Sequence, residues 1–134
     1  MIKIRIAVVG CGRISKNHFD SIKIHKDEIE LVSVCDIDQE TMFKHKEKYG
    51  IKGYTDLEKM LDSESLDLVA ICTPSGIHAN QTKICAKYGV NVMTEKPMAT
   101  RWDDGLRMVK ACDDAGVRLF VVKQNRFNDT LQLL

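Results

Sequence analysis

Two hydrophobic periods alternate along the chain. Ile2-Lys3-Ile4-Arg5-Ile6-Ala7-Val8-Val9 starts as an alternation and ends as an unbroken apolar run, the pattern of a strand covered on both faces, and Gly10 stops it. Residues 13–26 then repeat at helical spacing, with Ile14, His18, Ile22 and Ile24 on the apolar stripe. A second strand, rich in β-branched residues, covers 29–35 and ends at Asp36. Asp38 is placed to cap a charged helix running to Tyr49, with Gly50 as its stop. A short strand follows near Gly53-Tyr54. Thr55 is then expected to cap a helix over 56–61, with Glu58 at the capping-box position. The run 66–72 is another buried strand, broken by Thr73-Pro74-Ser75-Gly76. Residues 77–88 read as a helix stopped by Gly89, 91–94 as a short strand, 100–115 as a helix capped by Thr100 and ended by Gly116, and 117–122 as a last strand.

Strand and helix therefore alternate through six strands. That order specifies an α/β fold: a doubly wound parallel sheet with right-handed crossovers and helices on both faces, built from two mononucleotide-binding halves in the Rossmann manner. A length of 134 residues suits one domain with a core of its own. The final Leu131-Gln132-Leu133-Leu134 reads as the opening of a further helix, so the sequence is expected to be cut from something longer.

Composition mainly excludes. The net charge is +1 and aromatics are 6%, which leaves neither the basic field nor the stacking platform of a nucleic-acid binder, and no attraction to acidic membranes. No apolar run reaches the length of a membrane span, and the charges of Lys3 and Arg5 inside the first apolar run are not those of a signal peptide. Cys11, Cys35, Cys72, Cys85 and Cys112 form no Cys-x-x-Cys pair, and the four histidines are dispersed. Reduced thiols in a cytoplasmic protein without a metal site are the expectation.

The chemistry gathers where strands end. Gly10-Cys11-Gly12-Arg13-Ile14-Ser15 sits between the first strand and first helix, where Gly10 permits a tight turn and Gly12 lets a pyrophosphate approach the backbone. Asp36 ends the second strand at the spacing of an acid that accepts hydrogen bonds from an adenosine ribose and repels a 2′-phosphate, which favours NAD over NADP. A methyltransferase also combines a glycine turn with such an acid, but its Asn/Asp-Pro-Pro-aromatic run after the fourth strand is replaced here by Cys72-Thr73-Pro74-Ser75-Gly76-Ile77-His78. Thr73 and its turn can line the cofactor. His78, alone in the first turn of a helix, reads first as a packing or capping residue. Glu95-Lys96-Pro97 follows the fifth strand, where a lysine can donate to a substrate hydroxyl and hold developing negative charge.

Together these segments resemble the glucose–fructose oxidoreductase / inositol dehydrogenase (Gfo/Idh/MocA) family. The resemblance is carried by Gly10-Cys11-Gly12-Arg13-Ile14 with His18, Cys35-Asp36, Thr73-Pro74 with His78, Glu95-Lys96-Pro97, and Val121-Val122-Lys123-Gln124-Asn125-Arg126-Phe127. It implies NAD as cofactor. Gly10 and Gly12 would form the pyrophosphate loop, Arg13 and Ile14 would supply backbone donors, and Asp36 would be the ribose acid. Thr73, Pro74 and His78 would form the loop over the cofactor's middle, Glu95 would lie near the nicotinamide ribose, and Asn125 and Arg126 near the nicotinamide edge. Lys96 would be the catalytic lysine. Ser15 stands where glycine or alanine is commoner. Within the family the chain is most similar to the UDP-N-acetylglucosaminuronate 3-dehydrogenase branch of bacterial surface-polysaccharide (lipopolysaccharide) biosynthesis, through Gly12-Arg13-Ile14-Ser15-Lys16-Asn17-His18, Ile71-Cys72-Thr73-Pro74-Ser75-Gly76 and Val122-Lys123-Gln124-Asn125-Arg126. The resemblance further implies that 1–123 is a dinucleotide-binding domain and 124–134 the start of a connection to a C-terminal substrate domain. That second domain would carry the catalytic histidine and the homo-oligomer interface. The intact enzyme would move a hydride from a sugar or UDP-sugar hydroxyl to NAD, and this chain alone would bind cofactor without turnover. A non-catalytic nucleotide-binding module or sensor is the alternative.

Overall fold

The computed structural model describes residues 2–123. Strand β1 (Ile4–Val9) leads into helix α1 (Ser15–Ile24), followed by β2 (Ile29–Cys35), α2 (Gln39–Tyr49), β3 (Lys52–Tyr54) and α3 (Leu57–Ser63). The second half runs β4 (Leu68–Ile71), α4 (His78–Lys87) behind a single 3₁₀ turn, β5 (Asn91–Thr94), α5 (Trp102–Ala115) and β6 (Leu119–Val121). All strand pairs are parallel, in the order β3-β2-β1-β4-β5-β6. This is the doubly wound α/β sheet that the alternation of periods predicts. The chain begins at the centre, runs to one edge, returns to the centre and runs to the other, so the order reverses between β1 and β4.

Both faces of the sheet are buried. Ile6 and Val8 of β1 pack with Phe19, Ile22, Val34 and Met42 under α1 and α2. Ala7 and Val9, pointing the other way, pack with Met60, Leu61, Val69, Ile71, Cys85 and Val92 under α3 and α4. The continuous apolar run of β1 is thus two alternating half-cores read together. Each fully buried Val or Ile contributes roughly 1.5–3 kcal/mol of transfer free energy, so the central strands carry most of the stability.

Three local expectations are corrected. Asp56, not Thr55, caps α3, and its carboxylate accepts from the Lys59 backbone N–H at 2.9 Å. The carboxylate is the charged and stronger acceptor for a helix's free amides, and this shift takes Glu58 off the capping-box position. Arg101 rather than Thr100 occupies the N-cap of α5, with no side-chain cap, and Asp103 and Asp104 supply negative charge in the first turn instead. Helix α1 is shorter than 13–26, and Ile24 is exposed, with Ser15, Phe19 and Ile22 facing inward. Gly50 and Gly116 end α2 and α5 in the left-handed conformation, as placed from sequence.

Candidate functional site

Strand register brings the motifs to one edge. Val9 lies level with Cys35 on one side and Ile71 on the other, and Ile71 lies level with Thr94. Gly10, Asp36, Cys72 and Glu95 therefore leave the sheet side by side, at the carboxyl ends of the four middle strands. Each stays tied to a neighbouring strand by one more backbone hydrogen bond: Gly10 N–H to Cys35 O at 2.8 Å, Asp36 N–H to Tyr54 O at 3.1 Å, Cys72 N–H to Val9 O at 2.7 Å, and Glu95 N–H to Ile71 O at 3.1 Å.

Gly10 takes a φ of +87°, and a Cβ there would lie 2.8 Å from the Cys72 carbonyl carbon and 2.9 Å from Thr73 Cγ2. Glycine at this point is needed by the fold itself, since the turn crosses directly over the end of β4. Gly12 differs, because nothing lies within 4 Å of the place its Cβ would take. Space is held open there beside the turn entering α1, where the Gly12, Arg13 and Ile14 amides donate to no acceptor among the described residues. Ser15 Oγ donates to Gly12 O at 2.5 Å and is buried. The serine thus folds back to brace the turn, which explains how the usual small residue is replaced here.

Asp36 faces this turn. Its Oδ2 accepts from the Cys11 N–H at 2.8 Å and its Oδ1 from the Asp38 N–H at 2.9 Å. Both contacts orient the carboxylate and leave lone pairs toward the cleft. The helix cap falls to Asp38, whose Oδ2 accepts from the Thr41 N–H at 3.1 Å and from the Thr41 hydroxyl. These two donors hold the Asp38 carboxyl below its ordinary range. The cap of α2 is thus Asp38, as the sequence suggests, and Asp36 is not used for it.

A cleft of about 270 Å³ opens above this edge, between the turns after β1, β2 and β4. Gly10, Gly12, Asp36, Thr73 and Pro74, all singled out from sequence, line it together. Ile37, Thr55, Leu57, Ile77 and Gln81 also line it and were not foreseen. Ile37 is 92% exposed. A bare isoleucine directly after a strand-end acid was the one signal available for it. The others reach the cleft only because β3 and α4 converge there. Thr73 donates its hydroxyl to Gln81 Oε1, which fixes the cleft wall.

The remaining candidates lie around this cleft. Arg13 and Ile14 follow the turn outside it. His78 is buried, with Nε2 2.7 Å from Thr73 O and Nδ1 3.1 Å from Pro97 O, so its ring sits between the turn after β4 and the segment after β5, and each neutral tautomer donates to one of these two carbonyls. Glu95 is buried and pairs with His18, Nε2 to Oε1 at 2.5 Å, a partner the sequence did not reveal. Lys96 is exposed next to it, and the Lys96–Pro97 bond is cis. Asn125 and Arg126 lie outside the described residues.

The thiols at this edge are held neutral. Burial pushes Cys72 up to about 12, helped by the Glu95 carboxylate and Cys11. Burial and Asp36 do the same for Cys11 and Cys35. Among the described residues no group of three or more His, Cys, Asp or Glu side chains could hold a metal ion, and no helix is long and apolar enough to cross a membrane.

Comparison with known proteins agrees with this geometry. Residues 4–123 match the model of the Gfo/Idh/MocA oxidoreductase family, NAD-binding Rossmann fold. The chain superposes on the WlbA dehydrogenase from Bordetella pertussis, solved in complex with NADH and UDP-GlcNAcA, with a TM-score of 0.96 and 53% identity, over 98% of this chain and 40% of that one. For the WlbA dehydrogenase from Chromobacterium violaceum, solved with the same two ligands, the TM-score is 0.95 and the identity 54%, over 98% and 38%. A D-apiose dehydrogenase of Paraburkholderia graminis is 35% identical over 94% of this chain and 34% of its own length. The chain thus spans between about a third and two fifths of the length of these three proteins.

Proposed function

This chain belongs to the Gfo/Idh/MocA oxidoreductase family with an NAD-binding Rossmann fold, and on that footing we propose that it is the cofactor-binding part of an NAD-dependent dehydrogenase acting on a sugar, specifically a UDP-linked sugar acid. The observation that carries the cofactor reading is the Asp36 carboxylate, clasped to the glycine turn by the Cys11 N–H and facing a cleft at the point where strand order reverses. The residues present fit the dinucleotide: open space at Gly12 and the amides of 12–14 suit the pyrophosphate, and Asp36 suits the adenosine ribose. Thr73 and Pro74 would flank its middle, with His78 fixing that wall from behind. Glu95 and Lys96, and in our reading Asn125 and Arg126, would border the nicotinamide end.

When bound, NAD supplies the hydride acceptor. The work of this chain's own residues is to bind, orient and hold charge. Lys96, exposed at the end of β5, would donate to the substrate hydroxyl and stabilise negative charge as its proton leaves. The UDP-sugar assignment rests on the WlbA dehydrogenases, which are more than half identical to this chain and were solved with UDP-GlcNAcA. With that substrate the protein would serve lipopolysaccharide sugar synthesis. Residues 1–123 would form the cofactor domain, and 124–134 would begin the connection to a substrate and oligomerisation domain. Five buried free thiols suit a reducing cytoplasm.

Calorimetric titration of the chain with NAD, NADP and S-adenosylmethionine tests the reading. NAD should bind more tightly than NADP, and S-adenosylmethionine should give no saturable heat. Equal affinity for the two dinucleotides would remove the ribose role of Asp36, and tight S-adenosylmethionine binding would overturn the dehydrogenase reading.

A further inference from the structure

Lys96 has little of its own to hold it: it is exposed, at the end of a four-residue strand. Its neighbours on both sides are held. On one side Glu95 is buried, with its side chain only 8% exposed, and receives His18 Nε2 at 2.5 Å. On the other, Pro97 O faces His78 Nδ1. His18 lies in α1, the helix that the glycine turn opens into, 77 residues away in sequence from Glu95. The same turn is held from its other side by Asp36. His18 is therefore a strut between the turn that suits the pyrophosphate and the segment that carries Lys96. Packing alone does not make this link, because the space between α1 and the end of β5 is bridged by two polar groups that are otherwise almost wholly removed from water.

We propose that His18 is a positioning residue for the nicotinamide half of the cofactor site: through its hydrogen bond to Glu95 it sets the Glu95-Lys96 segment at the correct distance from the glycine turn. A buried carboxylate deprived of its hydrogen-bond partner cannot stay where it is without a large desolvation cost. Without His18, Glu95 turns toward water and takes Lys96 with it. The adenosine end of the cleft, built by Gly10, Gly12 and Asp36, does not depend on this contact. The inference rests on the NAD reading above and adds to it a residue that acts through Glu95.

The experiment compares NADH, whose nicotinamide half would reach the end of β5, with ADP, which carries the pyrophosphate but no nicotinamide, by titration into the 134-residue chain. His18→Ala should weaken NADH about tenfold, as expected for a lost hydrogen bond to a charged group, and change ADP by less than about twofold. His18→Gln, whose amide N–H can reach the position of Nε2, should restore most of the NADH affinity. His18→Phe fills the space without a hydrogen bond and carries the same expectation as alanine should the alanine variant not fold. Equal loss for both ligands, no loss for either, or a glutamine variant as weak as alanine would each overturn the positioning role. Saturable NADH binding by the parent chain distinguishes that failure from the larger one: if the parent does not bind NADH, the cofactor reading falls and this inference with it.

Discussion

Two glycines two residues apart in the same turn do different work, and substitution should separate them. Gly10 holds a left-handed φ against the backbone of β4. Gly10→Ala adds roughly 1–3 kcal/mol of conformational strain to a contact that has no room to relax, so thermal denaturation should show a clear loss of stability. Gly12→Val meets open space. It should melt close to the parent and yet lose NAD affinity, because its branches would occupy the place proposed for the pyrophosphate. A Gly12→Val chain with unchanged NAD binding would put the phosphates elsewhere. Asp36→Ala should weaken NAD about tenfold or more, from loss of charge-assisted hydrogen bonds worth roughly 1.5–3 kcal/mol each, and weaken NADP less, because repulsion of its 2′-phosphate is relieved at the same time. The same variant should also melt lower, since the Cys11 and Asp38 amides lose their acceptor. That second cost is invisible in the sequence, where Asp36 shows only its spacing from the turn.

At the level of elements, strand ends and helix ends were unequally legible. Strand existence followed from apolar runs, and the stops at Gly50 and Gly116 followed from backbone geometry that glycine alone adopts easily. The caps at 55–56 and 100–101 did not: Thr55 and Asp56 are both competent acceptors in the sequence, and the structure gives the cap of α3 to the stronger one, Asp56, and leaves α5 without a side-chain cap. The thiols at the ends of β1, β2 and β4 carry a testable consequence. Cys11, Cys35 and Cys72 are raised from 9.0 to about 12 in the folded chain, and Cys85 in α4 likewise. Between those values the unfolded chain releases protons that the folded chain keeps, so their contribution to stability is complete below pH 9 and is lost as pH rises toward 12. The raised Tyr54 acts in the same direction. The urea midpoint should therefore fall between about pH 8 and about pH 10.5, and thiol reagents at the lower pH should label these cysteines only as fast as the chain opens. A midpoint that is flat or rising over that range would contradict the assignment.

For the molecule as a whole, the proposed cofactor cleft and the proposed catalytic lysine stand at the ends of different strands. The cleft belongs to β1, β2 and β4, while Lys96 stands at the end of β5. Lys96→Ala in this chain should change NAD affinity by less than about 1 kcal/mol, the range of an exposed charge contact. In a protein carrying the remaining length of its relatives, the same change should lower kcat by about 10²-fold or more, the scale of a lost proton-transfer or charge-stabilising group. Stopped-flow measurement of NAD reduction reads this directly, and near-normal hydride transfer by the variant would leave Lys96 a surface charge.

Alternating hydrophobic periods and glycine stops, both local properties of the chain, were enough to determine the six-stranded doubly wound sheet. Once that order is known, the carboxyl edge must collect Gly10, Asp36, Thr73 and Glu95, because parallel strands all end on the same side. What the chain could not show by itself were relations across long sequence distances. The pairing of His18 with Glu95, the ring of His78 between Thr73 and Pro97, the clasp of Asp36 on Cys11, and the arrival of Ile37, Leu57 and Ile77 at one cleft are of this kind. They depend on where a helix axis comes to rest against the sheet and on how deeply a polar group is then buried. Those two quantities are set by packing of the whole core, and no window of sequence contains them.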